Sequence, residues 1–137
     1  MPHLTVEYSA NLDEEADIGA LCARLAETIL STGLFESGAV RVRAYPARHY
    51  AVADRLPENG FADLNFRIGT GRSADEKKAV GEALFAAASA FFAPRFASPH
   101  FALSLEIREI DPALSWKKNA MHARLRAKPA PTNTISS

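Results

Sequence analysis

The N-terminus holds the first candidate for chemistry, because proline directly follows the initiator methionine. A small second residue allows the methionine to be removed, which would leave Pro2 with a free secondary amine. An ordinary α-amino group titrates near ~7.7–8, closer to neutrality than a lysine, so it could accept and return a proton at neutral pH. The strand-like run Leu4–Tyr8 would hold this amine in place. From these residues alone, the alternative is that Pro2 only sits on an edge strand, where its missing N–H does no harm.

The second candidate is Arg72, in the short glycine loop Gly69–Ser73. Glycines at positions 69 and 71 allow a ligand to approach the backbone closely. Ser73 is a good N-cap for a following helix, and the free N–H groups at a helix N-terminus suit an anion. The pattern therefore predicts an anion-binding arginine between a strand and a helix.

Composition excludes several classes of function. The 137 residues are enough for one domain, and sixteen basic residues balance sixteen acidic ones, so nucleic acid and anionic membranes are not expected partners. The single cysteine, Cys22, cannot form an internal disulfide and is predicted to be a buried thiol. The four histidines show no metal-binding spacing. No signal peptide or membrane-spanning stretch is recognisable, which favours a cytoplasmic location.

The first predicted β-α-β unit covers about residues 2–60. After the opening strand, Asn11 is the predicted helix N-cap, and Gly33 ends the helix. The helix has an apolar stripe at Ile18, Cys22, Leu25 and Ile29. The alternation in Val40–Tyr45 predicts a strand that ends at Pro46, with Arg41 and Arg43 on the face opposite the valines.

The second unit covers about residues 61–127. Alternation predicts a strand over 62–68, Ser73 begins a helix that ends before Pro94, and a further strand covers 101–107. Asp111 and Trp116 begin a terminal segment. Residues 128–137 have the composition of a flexible tail.

The two units align at an offset of 62 residues, so the fold is predicted to be α+β, a duplicated β-α-β unit whose four-stranded mixed sheet carries two helices on one face. No segment remains to cover the other face, which favours burial against other subunits. Three aligned pairs break the symmetry near strand ends: Pro2 with Leu64, Arg41 with Leu103, and Arg72 with Ala10.

These residues resemble a known family. The opening Pro-His-x-x-Val-Glu, the segment Gly-Thr-Gly-Arg-Ser-x-x-Glu and the arginine in the strand after the first helix are together similar to the tautomerase superfamily. Within it, the chain resembles the 5-carboxymethyl-2-hydroxymuconate Δ-isomerases over residues 2–126, including the ending Trp116–His122.

The resemblance implies an isomerase that moves a proton within a 2-hydroxymuconate-type dienol acid during the catabolism of aromatic compounds, in homoprotocatechuate degradation. It implies a homotrimer that needs no cofactor or metal and takes a di- or tricarboxylate. Pro2 would be the general base, and Arg41 and Arg72 would bind the substrate. Tyr50 or Trp116 would supply an aromatic wall. Desolvation and the two arginines would lower the pKa of the amine.

Two alternatives remain open at this stage. Pro2 and the two arginines would also serve another activity of the superfamily, such as keto–enol tautomerisation, hydration or dehalogenation. A trimer that binds small acids without catalysis is the other alternative, and it gains support if Met1 is retained, because the acylated nitrogen of Pro2 is not a base. Arg43 and Arg67 are predicted to be solvated, and His3 is predicted to have a packing or interface role.

Overall fold

Two β-α-β units form one four-stranded sheet in the computed structural model, which describes residues 1–127. The first unit consists of β1 (His3–Ser9), α1 (Ile18–Ser31) and β2 (Arg41–Ala47), and the second of β3 (Gly60–Ile68), α2 (Ala74–Phe91) and β4 (Phe101–Glu109). The strand order is β2-β1-β3-β4. Pairing is parallel within each unit and antiparallel between β1 and β3. The predicted mixed sheet and the doubled topology are confirmed.

Shorter elements complete the described chain. A four-residue helix α3 (Ala93–Phe96) follows α2, and α4 (Met121–Ala127) ends the described part. Three 3-10 turns cover 10–14, 37–39 and 112–114. The predicted tail, 128–137, lies outside the described residues.

The core lies between one face of the sheet and the two long helices. Alternate residues of the central strands point into it and are fully buried, as Leu4, Val6, Leu64 and Phe66 show. Each helix contributes a buried stripe, which is Leu21, Leu25 and Ile29 in α1 and Val80, Leu84 and Ala88 in α2. Burial of one large apolar side chain stabilises the fold by about 1.5–3 kcal/mol, so this layer holds the strands in register. Cys22, beside the stripe of α1, is half-buried.

The other face of the sheet is polar, and its charge differs between the two ends. At one end, register places Arg41, His3, Arg67 and Arg108 side by side across all four strands. Towards the other end Glu7 lies opposite Asp63. Water can solvate such a face. The absence of a covering segment led us to expect that other subunits bury this face. Its polar composition does not by itself require such burial.

Local capping differs between the two helices. Ser73 caps α2 as predicted and forms a capping box, in which its hydroxyl accepts a hydrogen bond from the backbone N–H of Glu76. The prediction for α1 was wrong, because Asn11 lies in a 3-10 turn and the side chain of Asp17 accepts from the N–H of Ala20 at 3.0 Å instead.

Two further corrections concern the strands. Pro46 does not end β2, which continues to Ala47, and proline is tolerated there because β2 is an edge strand. The single offset of 62 does not hold either. It aligns Arg41 with Leu103, yet Arg41 lies on the polar face while Leu103 packs against the core. The difference between Arg41 and Leu103 therefore reflects a misalignment of the two strands. In a strand, an alignment error of one residue exchanges the two faces.

Candidate active site

Pro2 lies at the point where three strands begin or end. It is buried, and its carbonyl oxygen accepts a hydrogen bond from the backbone N–H of Arg41 at 3.2 Å. The next residue, His3, pairs with Arg41 on β2 and with Arg67 on β3. The strand therefore holds the backbone of Pro2 firmly, as the sequence predicted.

Two cavities flank the N-terminus. The larger, of about 750 Å³, is lined by the start of β2, the end of β3 and residues 110–118. The smaller, of about 350 Å³, is lined by Pro2, Phe35, Arg72 and residues 122 and 126 of α4, among others. Met1 and Lys117 line both. Met1 thus lies between the two cavities, whereas Pro2 lines only the smaller one.

The larger cavity is strongly cationic. Its lining contains four cations, Arg41, Arg67, Lys117 and Lys118, and no aspartate or glutamate of residues 1–127. Cations gathered in a cleft with low-dielectric walls concentrate anions there, so the space suits a small multivalent acid. The smaller cavity contains Arg72 and Arg126 but also one carboxylate, that of Glu36, which pairs with Arg126.

These surroundings act on the terminal amine. The pKa of the Met1 amine is lowered, first by burial and then by the charges of four cations, Lys117, Arg72, Arg41 and Arg67. Both effects disfavour the protonated form. Three of the four cations also line the larger cavity, so the position combines a partly desolvated amine with a nearby binding space for anions.

Arg72 is held by backbone groups and an aromatic ring. Its terminal nitrogens donate to the carbonyl oxygens of Leu34 at 3.0 Å and Gly69 at 3.3 Å, and its guanidinium carbon lies 4.1 Å from the centroid of the Phe35 ring. Its Nε is buried and has no partner among residues 1–127. The side chain is therefore fixed in position and retains hydrogen-bonding capacity.

Arg41 is less constrained. It donates to the carbonyl oxygen of Ala39 at 3.3 Å and contacts the sulfur of Met1. The structure thus places both predicted arginines beside the N-terminus, Arg41 in the larger cavity and Arg72 in the smaller.

His3 is a neutral member of the site at pH 7. Burial, followed by the charges of Arg67, Arg43 and Arg41, lowers its pKa to about 4. Its Nδ1 lies 3.2 Å from a terminal nitrogen of Arg43, and because the arginine must donate, the imidazole nitrogen accepts. His3 lines the larger cavity without adding to its charge.

The two aromatic candidates, Trp116 and Tyr50, lie in different cavities. Trp116 lines the larger cavity with 86% of its surface exposed. Tyr50 lines a different pocket, formed by residues 48–57 in the connection from β2 to β3 at the far end of the sheet, and packs edge-on against Phe61 with centroids 6.4 Å apart. Within one chain Tyr50 therefore does not reach the site, and its role stays a prediction that requires a neighbouring subunit.

Several lining residues were not predicted from the sequence. Arg67, expected to be only a solvated strand residue, is exposed but lines the cavity, and Lys117 and Lys118 enter from the terminal segment. The alternation of β3 could have placed Arg67 on the face of Arg41. No local pattern indicates that residues 115–118 return to the N-terminus.

Other classes of site find no support in the described part of the chain. Residues 1–127 contain no group of three or more histidine, cysteine or acidic side chains that could hold a metal ion. No described helix is long and apolar enough to cross a membrane.

Comparison with known proteins gives consistent results. The sequence profile of the 5-carboxymethyl-2-hydroxymuconate isomerase family matches residues 2–125. A 5-carboxymethyl-2-hydroxymuconate Delta-isomerase from Escherichia coli is 37% identical over 123 residues, which are 90% of this chain and 98% of the relative.

Solved structures resemble the fold at two levels of similarity. The crystal structure of a 5-carboxymethyl-2-hydroxymuconate isomerase from Deinococcus radiodurans R1 superposes with a TM-score of 0.86 at 44% identity, covering 91% of this chain and 94% of that one. A fused 4-OT symmetric trimer superposes with a TM-score of 0.63 at 13% identity over 85% of this chain and 93% of that one. The second likeness shows the fold alone.

Proposed function

Because the chain belongs to the 5-carboxymethyl-2-hydroxymuconate isomerase family, we propose that it converts 5-carboxymethyl-2-hydroxymuconate into its 2-oxo isomer, with the amine of Pro2 as general base. The protein is an isomerase, and the proposal concerns its substrate and its residues. The observation that carries the proposal is a partly buried N-terminal amine beside a cavity lined by four cations and by no aspartate or glutamate of residues 1–127.

The substrate fits the charge of the cavity. It carries three carboxylates on a conjugated dienol, so it presents up to three negative charges near neutral pH. In the proposed arrangement Arg41 and Arg72 bind two of them from opposite sides of Pro2. Guanidinium groups suit this role because they stay charged and match a carboxylate with two parallel hydrogen bonds.

The reaction is a proton transfer that balances within the substrate. The amine takes the proton from the enol oxygen, the C–O bond becomes a carbonyl, the enol double bond moves to the central C–C bond of the diene, and the electron pair of the far double bond is left to accept a proton at the far carbon. The same ammonium then delivers the proton to the far carbon of the conjugated system, where a C–H bond forms. One group performs both steps if its pKa is near the working pH, and no metal or cofactor takes part.

Two features of the site support this mechanism. The burial and the cations that lower the pKa of the Met1 amine would act on the Pro2 amine after processing, because Pro2 lies one residue further inward and is buried. The same cations would stabilise the negative charge that develops on the dienolate in the transition state.

The proposal requires removal of Met1. With Met1 attached, the nitrogen of Pro2 is part of an amide and cannot accept a proton. The test is therefore to measure the intact mass of the purified protein and to assay isomerase activity on fractions with and without Met1. Activity confined to the processed fraction is expected, and equal activity in both fractions would overturn the role of Pro2.

The same assay separates the alternative reaction. Parallel measurements with the hydroxymuconate and with phenylpyruvate, a simpler enol acid, should give the higher kcat/KM for the hydroxymuconate. A preference for the smaller acid would instead favour a different activity of the superfamily.

We also propose that three copies assemble through the polar sheet face. The three arginines of this face, Arg41, Arg67 and Arg108, lie at one end and the acidic pair Glu7–Asp63 lies towards the other, so packed copies could bring opposite charges together. A neighbouring subunit would then complete the site and would contribute its Tyr50 to it. Light scattering during gel filtration should give three times the chain mass. We predict a cytoplasmic location for the assembly.

A further inference from the structure

The segment 115–118 is anchored on both sides. Before it, the N–H of Ile110 donates to the carbonyl oxygen of Ile68 at 2.7 Å, and Asp111 accepts from the N–H of Ala113 at 3.0 Å. After it, the side-chain amide of Asn119 donates to the carbonyl oxygen of Gly38 at 2.7 Å. The residues that flank this segment are thus tied to β3 and to the turn before β2, while the side chains of residues 115–118 are exposed.

Helix α4 strengthens the second anchor. Arg126 forms an ion pair with Glu36, and His122 lies with its Nδ1 3.5 Å from the same carboxylate. His122 also packs directly on Gly38, where an added Cβ would lie 2.8 Å from its Nδ1 and 3.2 Å from its backbone. Only a residue without a side chain at position 38 permits this approach.

Lys117 occupies a particular place in this segment. Among residues 1–127, Lys117 and Met1 alone line both cavities. Arg41 and Arg67 lie in one cavity and Arg72 in the other. Lys117 forms no ion pair within residues 1–127, unlike Lys77, which pairs with Glu109. The fold therefore places an additional, exposed cation beside both cavities, without a carboxylate partner among residues 1–127.

We propose that Lys117 binds a carboxylate of the substrate between those held by Arg41 and Arg72, an assignment that rests on the proposed function. The position matches a triacid, since three cations on different elements would each meet one carboxylate around the amine. A lysine suits the middle place because its flexible stem and three donors adapt to a carboxylate of variable orientation, whereas the arginine forks fix the two ends.

Lys117 also acts on the base. With Met1 attached, burial is the first cause of the lowered pKa of the Met1 amine and the charge of Lys117 is the next. We expect this charge to act in the same direction on the Pro2 amine after processing. Removal of that charge makes protonation of the amine easier, so the pKa of the amine rises. The acidic limb of the pH profile of kcat/KM then moves to higher pH.

The test compares three substitutions in the processed enzyme. Lys117→Gln should raise KM about tenfold for the tricarboxylate, since hydrogen bonds to charged groups are among the stronger ones, and should move the acidic limb to higher pH. Lys118→Gln, in the larger cavity only, should change KM less. Lys78→Gln, on α2 and away from both cavities, is the control and should leave kinetics unchanged.

A dicarboxylate analogue that lacks the carboxylate assigned to Lys117 tests the assignment further. With this analogue, Lys117→Gln and the native enzyme should differ little in KM. A KM within twofold of the unsubstituted enzyme, together with an unshifted pH profile, would overturn the role of Lys117 and leave the proposed function intact. A processed enzyme without any isomerase activity would overturn both. Thermal unfolding should show that all three variants remain folded.

Discussion

Arginines at the two ends of the sheet have different surroundings. At the far end, Arg95 forms an ion pair with Glu15 at 3.1 Å and donates to the carbonyl oxygens of Glu58 at 2.9 Å and His100 at 3.2 Å. At the cavity end, Arg41 and Arg72 donate to carbonyl oxygens but pair with no carboxylate of residues 1–127.

The difference separates structural arginines from those that can bind a ligand. A carboxylate partner neutralises Arg95, and its fork joins the loop before β3 to the start of β4. Carbonyl oxygens fix the position of Arg72 without neutralising its charge, so the charge stays available to an anion. Substitutions at the cavity end should therefore change kinetics first, and substitutions at the far end should change stability first.

The largest effect should come from Pro2→Ala. Alanine also permits removal of the methionine, but it replaces the rigid secondary amine with a primary amine on a freer backbone. We expect kcat to fall roughly a hundredfold, the lower range for loss of a general base, while KM changes little. Steady-state kinetics on a mass-verified, folded sample measure this. A normal kcat would show that the base lies elsewhere.

Arg72→Ala should have the next largest effect. We expect KM for the substrate to rise by about ten- to a hundredfold, because a charge-assisted pair is worth about 1.5–3 kcal/mol. Stability should fall as well, since the carbonyls of Leu34 and Gly69 lose a donor and Phe35 loses its stacked guanidinium.

Arg72→Lys separates these two consequences. The lysine keeps the charge but loses the planar fork, so KM should recover only in part. Identical kinetics in the native enzyme and Arg72→Ala would contradict a role for Arg72 in binding and would make it a second structural arginine.

Arg95→Met should destabilise the fold without altering the chemistry. The stem of the side chain keeps its packing, but the carbonyls of Glu58 and His100 and the carboxylate of Glu15 lose their donor, at a cost of about 2–3 kcal/mol. Denaturant unfolding measures the change, and kcat/KM at low temperature should match that of the native enzyme. A kinetic defect in the folded variant would break the proposed division between the two ends.

The smallest effect should come from Gly38→Ala. The added Cβ would overlap His122 and displace α4 together with Lys117, so we expect KM to rise a few-fold with kcat nearly unchanged. Gly19→Ala in α1 is a matched control, because its Cβ meets only the carboxylate of Asp17 at 3.4 Å and should stabilise the helix by about 0.5–1 kcal/mol. An unchanged KM in Gly38→Ala would show that α4 does not position the substrate site.

Much of the framework follows from the sequence. The strand-like run Leu4–Tyr8 predicted β1, the alternation in residues 62–68 predicted β3, and Ser73 predicted the start of α2. These patterns are reliable because they depend on neighbours within a few residues. The alignment at an offset of 62 failed in the strands. A small error in the alignment leaves a helical stripe recognisable, but an error of an odd number of residues assigns every side chain of a strand to the wrong face.

Pro2, Arg41 and Arg72 were recognised from their positions near strand ends and from the family resemblance, and the structure brings all three to the N-terminus. The sequence by itself therefore determined the paired β-α-β units and the residues proposed for chemistry. It did not determine what surrounds them.

Only the tertiary structure decided that residues 115–118 return to the N-terminus. The contact that fixes them joins Asn119 to Gly38, 81 positions apart in the chain, and no local pattern encodes such a pairing. The same reason explains why Lys117 was missed and why Tyr50 falls outside the cavity of its own chain. Packing of distant segments sets the charge around the amine, whereas local periodicity sets only the strand that carries it.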